Sequence, residues 1–258
     1  MNQSAIIKAL YRYPLKGFSA EPLESAALKA GETLPFDRAF AIENGPSGFD
    51  PAAPSYLPKI RFLMLMRHER VARYTSRFDP QTGVLTLGRP DRNPGQAHVA
   101  ASLDDEAGRS KIEDWIAAEF PDELRGPPRI VSAPGHSFSD KKQKVLHLIN
   151  LASVRMLEEK VGRTIDPMRF RANIVIDGVP PFTEFDWIGK RLQLTDLTLA
   201  GEDRTERCAA TNVEPETGIR DINLPRSLMG LFGHTDFGIY VKAQSSGTIS
   251  IGDAIEPA

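Results

Sequence analysis

One cysteine in 258 residues excludes an internal disulfide, and it excludes a cysteine-ligated iron–sulfur cluster built from this chain alone. Long apolar runs are also missing. None approaches bilayer-spanning length, and the first eight residues carry no basic segment followed by an apolar stretch. Neither sign of charge dominates: 32 basic side chains face 34 acidic ones, for a net charge of −2. That balance gives no general attraction to nucleic acid or to an anionic membrane, although local basic pockets stay open. Neither a GxxxxGK[ST] loop nor a dinucleotide fingerprint occurs, which argues against ATP or NAD. His68, His98, His136, His147 and His234 show no HExxH or other metal-ligand spacing. These absences predict a cytoplasmic protein that leaves nucleic acid and membranes alone and draws any redox electrons from elsewhere.

What is present is a succession of short strand-like segments. Residues 4–13 alternate loosely between apolar and polar positions and end at Pro14-Leu15-Lys16-Gly17. Residues 23–28, 38–43, 60–66, 71–78 and 83–87 continue the β pattern, punctuated by glycine and proline. Between Asp104 and Phe120, Ile112, Trp115, Ile116 and Phe120 recur at helical spacing, so one amphipathic helix is predicted there. Residues 129–132 read as a strand, and residues 150–160 as a helix capped by Asn150 or Ser153. Further strands are predicted over 173–178, 190–194, 197–200, 238–242 and 247–253. The fold class is therefore mainly β with inserted helices (α+β), built as a barrel or sandwich with ample apolar residues for a core.

The solitary thiol, Cys208, lies between a strand and a turn-rich polar loop, directly after Arg207 and four residues after Arg204. Two readings compete on local grounds. A buried free cysteine acts as a small hydrophobe, whereas a cysteine beside cations forms a thiolate, a soft metal ligand or nucleophile.

An ordered set of motifs separates the two. Arg169-Phe170-Arg171-Ala172-Asn173-Ile174-Val175-Ile176 is followed by Trp187-Ile188-Gly189, then by Arg207-Cys208 leading to Pro215-Glu216-Thr217-Gly218. Phe237-Gly238-Ile239-Tyr240 and Gly247-Thr248-Ile249-Ser250-Ile251-Gly252-Asp253 complete the series. Together they resemble the MOSC domain shared by molybdenum-cofactor sulfurases and mitochondrial amidoxime-reducing components. Tyr13-Pro14-Leu15-Lys16-Gly17, Gly31 and residues 36–42 resemble the β-rich domain that precedes MOSC in those reductases and their bacterial relatives. The resemblance covers nearly the whole chain. It implies an N-terminal β-rich domain over 1–95, a helical connection over 96–128, and a MOSC β-barrel over 129–258 with a pocket helix near 150–160.

The resemblance further implies a pterin-bound molybdenum, the molybdenum cofactor, ligated by Cys208. Lys16, Arg38, Ser153, Arg171, Asn173, Arg207 and Tyr240 are then the expected cofactor-binding residues, with Arg171 and Asn173 on one face of one strand. A phosphate-ended cofactor calls for such guanidinium and ammonium groups and for a helix N-terminus, here the one near Ser153. Two departures stand out: Gly17 follows the lysine where serine is frequent, and Thr205 and Glu206 occupy the stretch shortly before the thiol where the eukaryotic reductases usually carry another cysteine, so that Glu206 sets a carboxylate near the sulfur. The implied activity is reduction of small N-hydroxylated substrates, with electrons from an external donor protein of ferredoxin, flavodoxin or cytochrome type. A cofactor carrier or sulfur-transfer module that uses Cys208 without substrate reduction is the alternative.

Overall fold

The computed structural model describes residues 4–89 and 98–258. The expected boundary between residues 95 and 96 lies outside them. The first half contributes β1 (Ala5–Arg12), β2 (Glu21–Leu23), β3 (Ser25–Leu28), β4 (Ala41–Glu43), β5 (Thr75–Asp79), β6 (Val84–Gly88) and β7 (Val99–Ser102). Helix α1 (Glu106–Glu119) and β8 (Arg129–Val131) follow, then β9 (Leu146–Asn150), α2 (Leu151–Val161) and β10 (Ile174–Asp177). The last part comprises β11 (Arg191–Gln193), β12 (Thr198–Glu206), α3 (Leu224–Phe232), β13 (Asp236–Ala243), β14 (Gly247–Ser250) and β15 (Ala254–Pro257). The protein is thus mainly β with inserted helices.

The principal sheet runs β10-β9-β13-β12-β11-β15-β1-β2, and an additional β10–β1 pairing closes seven of these strands into a barrel. Closure leaves those seven without a free edge. Its interior is apolar, with Ile7, Leu10, Leu148, Ile176, Leu199, Ile239 and Val241 all fully buried. β1 pairs with β10 on one side and with β15 on the other, so the first strand of the chain is a stave of the C-terminal barrel. The N-terminal unit is therefore not separate in space from the barrel.

The second centre of packing holds Phe18, Phe40, Phe78, Leu85 and Leu87 together with Ile112, Ile116 and Phe120. It joins the β5-β6-β7 sheet and the β4-β8 pair to α1. Asp105 caps α1 by accepting a hydrogen bond from Gly108 N at 2.7 Å, which satisfies a donor the helix leaves unpaired. The stretch 98–128, expected to be a connection, is instead part of this unit. The apolar stripe of α1 requires a partner surface, and β7 and β8 supply it.

Other differences are local. Residues 60–66 form no regular strand. Lys59–Arg61 is a 3-10 turn, and the buried run after it is pinned by Leu63 N donating to Ile42 O at 2.8 Å. Residues 71–78 divide into the 3-10 turn Glu69–Arg73 and β5. Asn150 caps α2 through Ala152 N at 3.0 Å, leaving Ser153 inside the helix.

Candidate active site

Cys208 stands just beyond the end of β12. The β12–β13 register shifts between Gly201 and Arg204 and again between Arg204 and Glu206. Such irregularities bend a strand out of its ladder and re-aim its end. A single 3-10 turn (Ala209–Asn212) follows, fastened by Thr211 N and Oγ1, which donate to Cys208 O at 3.0 and 2.9 Å.

The thiol opens on a cleft of about 780 Å³ lined by both halves of the molecule. Lys16, Arg38, Arg171, Asn173, Arg207, Cys208 and Tyr240 all reach it, as does Glu206. Ser153 does not. It is fully buried in α2, where its Oγ donates to Glu184 Oε1 at 2.9 Å and accepts from Phe182 N at 2.8 Å. The Glu184 carboxylate, buried at the start of α2, takes the place that a ligand phosphate was expected to fill, and the helix N-terminus is absent from the cleft lining.

Arg171 and Asn173 reach the cleft by another route than a shared strand. Arg171 follows the 3-10 turn Pro167–Phe170 with φ +53°, and β10 begins only at Ile174. Asn173 is a joint. Its Oδ1 accepts from His147 N at 3.1 Å and from an Arg38 Nη at 3.3 Å, while its Nδ2 donates to Tyr11 O at 3.0 Å.

Charges in the cleft divide unequally. Seven cations line it, Lys16, Arg38, Lys59, Lys141, Arg171, Arg204 and Arg207, against Asp37, Asp140, Asp203, Glu206 and Asp236. Asp37 pairs with Arg38, Asp203 with Lys141, Asp236 with Arg204, and Asp140 with both Lys16 and Lys59. Among the described residues, Arg171 and Arg207 have no carboxylate partner. The guanidinium of Arg171 lies 4.3 Å from the Tyr13 ring centre, and that of Arg38 lies 4.4 Å from the same ring. Burial pulls the pKa of Arg171 down to about 10, with the charge of Arg38 adding to the effect. Arg207 donates to Phe170 O at 2.7 Å and meets His147 Nε2 at 3.3 Å, but its buried Nε has no partner among the described residues.

Burial, reinforced by Arg207, drives the pKa of His147 well below its ordinary value, so the imidazole is neutral. Burial raises the pKa of Tyr13 to about 12 and also that of Tyr240, so both phenols keep their protons. Burial lowers that of Lys16, against the opposing pull of Asp140.

Lys59 and Asp140 escape sequence reasoning. Lys59 opens a short 3-10 turn and Asp140 lies in a polar loop, neither within a motif, whereas Asp37 beside Arg38 is at least a visible acid–base pair. Burial raises the Asp140 pKa, but Lys16 and Lys59 overcome it and hold the carboxyl well below the usual carboxylate range. A depressed folded-state pKa adds stability above the unfolded value near 4, and that stability is lost as pH falls through the folded value. Asp140→Asn is therefore expected to flatten the acid side of a urea-denaturation pH profile. Because the carboxyl is 47% exposed, the loss at neutral pH is about 1 kcal/mol.

Gly17 also finds its reason here. Its φ of +89° suits glycine, so serine at this position would strain the backbone beside Lys16.

Two family models match the chain: the MOSC domain over residues 134–256 and the MOSC N-terminal beta barrel domain over residues 4–120. Mitochondrial amidoxime reducing component 2 of Rattus norvegicus is 28% identical over 163 residues, 56% of this chain and 48% of that protein. Molybdenum cofactor sulfurase of Caenorhabditis briggsae is 37% identical over 102 residues, 37% of this chain and 14% of that protein. The matched regions thus span less than half the length of either relative. Among solved structures, the YUAD protein of Bacillus subtilis aligns over 100% of this chain and 97% of its own, with 13% identity and a TM-score of 0.46.

Proposed function

This chain belongs to the MOSC family, and we propose from that premise that it is a molybdenum-cofactor-binding oxidoreductase that reduces N-hydroxylated compounds with electrons from an external donor protein. The observation that carries the reading is the pair of guanidiniums without a carboxylate, Arg171 and Arg207, in the cleft that Cys208 faces. A partly buried cation without a carboxylate partner is costly, and an anionic ligand removes that cost. A soft sulfur and two unpaired guanidiniums in one cleft suit a ligand that joins a thiophilic metal to a phosphate.

In this reading Cys208 Sγ is the protein ligand to the metal, and Arg171, Arg207 and Arg38 face the anionic part of the cofactor. When bound, the cofactor supplies the two-electron reduction that cleaves the substrate's N–O bond. The chain's own groups bind and orient. Neutral His147 holds Arg207 in place without adding a competing charge. Asp37 carries the Arg38 guanidinium and also accepts from Tyr13 N at 2.9 Å, locking the arginine to the first strand's exit. The Tyr240 hydroxyl has no partner among the described residues and retains its proton, so it is a donor at neutral pH for whatever occupies the cleft.

The test is metal analysis of protein made in a cofactor-synthesising host, combined with consumption of an N-hydroxyamidine under a chemically reduced viologen. About one molybdenum per chain and turnover are expected. Persulfide on Cys208 without molybdenum would favour the sulfur-transfer alternative, and neither metal nor turnover would overturn the reading.

Arg171→Met separates a ligand site from a structural one. Removing a partly buried cation that has no carboxylate partner is expected to raise the stability of the cofactor-free protein by up to about 1 kcal/mol while lowering cofactor retention. Parallel urea titration and metal analysis check it, and a variant that is both less stable and fully loaded would contradict the assignment.

A further inference from the structure

Lys59 belongs to the N-terminal half, yet its ammonium reaches the thiol of the C-terminal barrel. Nζ lies 3.6 Å from Cys208 Sγ and 3.0 Å from Asp140 Oδ2. The other oxygen of Asp140 accepts from Lys16 Nζ at 2.6 Å, and Lys16 is held in turn by Phe138 O at 2.7 Å. The carboxylate that steers Lys59 is therefore itself anchored from behind.

The backbone beneath Lys59 is fixed as well. Its 3-10 turn is closed by Phe62 N donating to Lys59 O at 3.1 Å. Asn44 N bonds Arg61 O at 3.0 Å, and an Arg125 Nη donates to Ile60 O at 2.8 Å. Among the described residues, no other side chain donates to the sulfur.

We propose that Lys59 is a positioning residue for Cys208, donating a hydrogen bond to the ligating sulfur and so favouring the reduced state of the bound metal. The proposal rests on the molybdenum reading above. Two effects act in the same direction. A hydrogen bond to a ligating thiolate draws electron density from the sulfur, weakens its donation and raises the reduction potential. A positive charge nearby also favours the form carrying one more electron. Asp140 cannot cancel that charge, because one carboxylate is shared by two ammonium groups and the Lys16–Asp140–Lys59 trio keeps a net charge of +1. The rival role is an ordinary surface ion pair with Asp140 whose contact to sulfur has no consequence.

A redox titration of the full-length, metal-loaded protein, followed by the paramagnetic resonance of the metal, distinguishes the two. Lys59→Met removes donor and charge, Lys59→Gln keeps a donor without the charge, and Lys59→Arg keeps both. With solution poised at the wild-type midpoint, Lys59→Met is expected to raise the oxidised-to-reduced ratio about tenfold, equivalent to 59 mV for one electron. Lys59→Gln should fall between, and Lys59→Arg should return close to wild type, all three with wild-type molybdenum content. Should Lys59→Met lose metal, the Gln and Arg variants carry the comparison. Loaded variants whose ratios all stay within twofold of wild type would overturn the proposal, as would a Lys59→Arg protein as oxidised as Lys59→Met. Wild-type protein that binds no molybdenum at all would overturn the cofactor reading first, and this role with it.

Discussion

Cys208→Ala is expected to purify with molybdenum at background, against about one per chain in the wild type, because alanine removes the soft donor from the cleft. N-hydroxyamidine reduction should fall at least about 10³-fold, since the chemistry belongs to the ligated centre. The fold should persist. Cys208 lies at the start of a turn held through its carbonyl oxygen, which alanine retains. A near-UV circular dichroism spectrum like that of the wild type, together with absent metal, confirms the assignment. Full metal occupancy in the alanine variant would remove Cys208 from the site.

The second large effect is on stability. Gly238 lies in β13 with φ +76°, and a Cβ there would press on Leu148 O and would come within 2.8 Å of His147 Nε2. The first of these is backbone of β9 and the second belongs to a buried imidazole held against Arg207, so neither gives way cheaply. Gly238→Val should cost about 3–5 kcal/mol, combining overpacking with a φ that valine resists. It would also force β13 from β9 where His147 is paired with Tyr240 across the ladder. Denaturant titration should show the midpoint falling steeply. A loss under about 1 kcal/mol would mean that the two strands can separate without penalty.

Legibility in the sequence followed physical cause. β1 and α1 announce themselves by period, as alternation and as a stripe of Ile112, Ile116 and Phe120. β9 does not, because all five of its residues are buried and nothing alternates. α3 is short, with Pro225 in its first turn and Gly230 inside, and Met229 and Leu231 are exposed where a periodic stripe would be polar.

The site was readable through the order of motifs around Cys208, which carried Lys16, Arg38, Arg171, Asn173, Arg207 and Tyr240 to one cleft. Its failures came from partners distant in sequence. Ser153 is claimed by Glu184, 31 residues on, and a carboxylate with 0% exposure leaves no trace in a local pattern. Asp140 and Lys59 meet 81 residues apart, in a loop and a short turn where single charges ordinarily face solvent.

The closed barrel has a consequence for synthesis. Ala5 lies beside Ile255, so β1 is bordered by β15, a strand far along the chain. At roughly 5–20 residues per second, the nascent β1 waits about 12–50 s before that neighbour exists. Throughout this interval Ile7 and Leu10, fully buried in the finished barrel, have only part of their apolar surroundings. An unpaired strand with apolar side chains is a template for foreign pairing. Pairing between strands so far apart along the chain is the kind that slows folding, so closure of the barrel is the late step of its assembly.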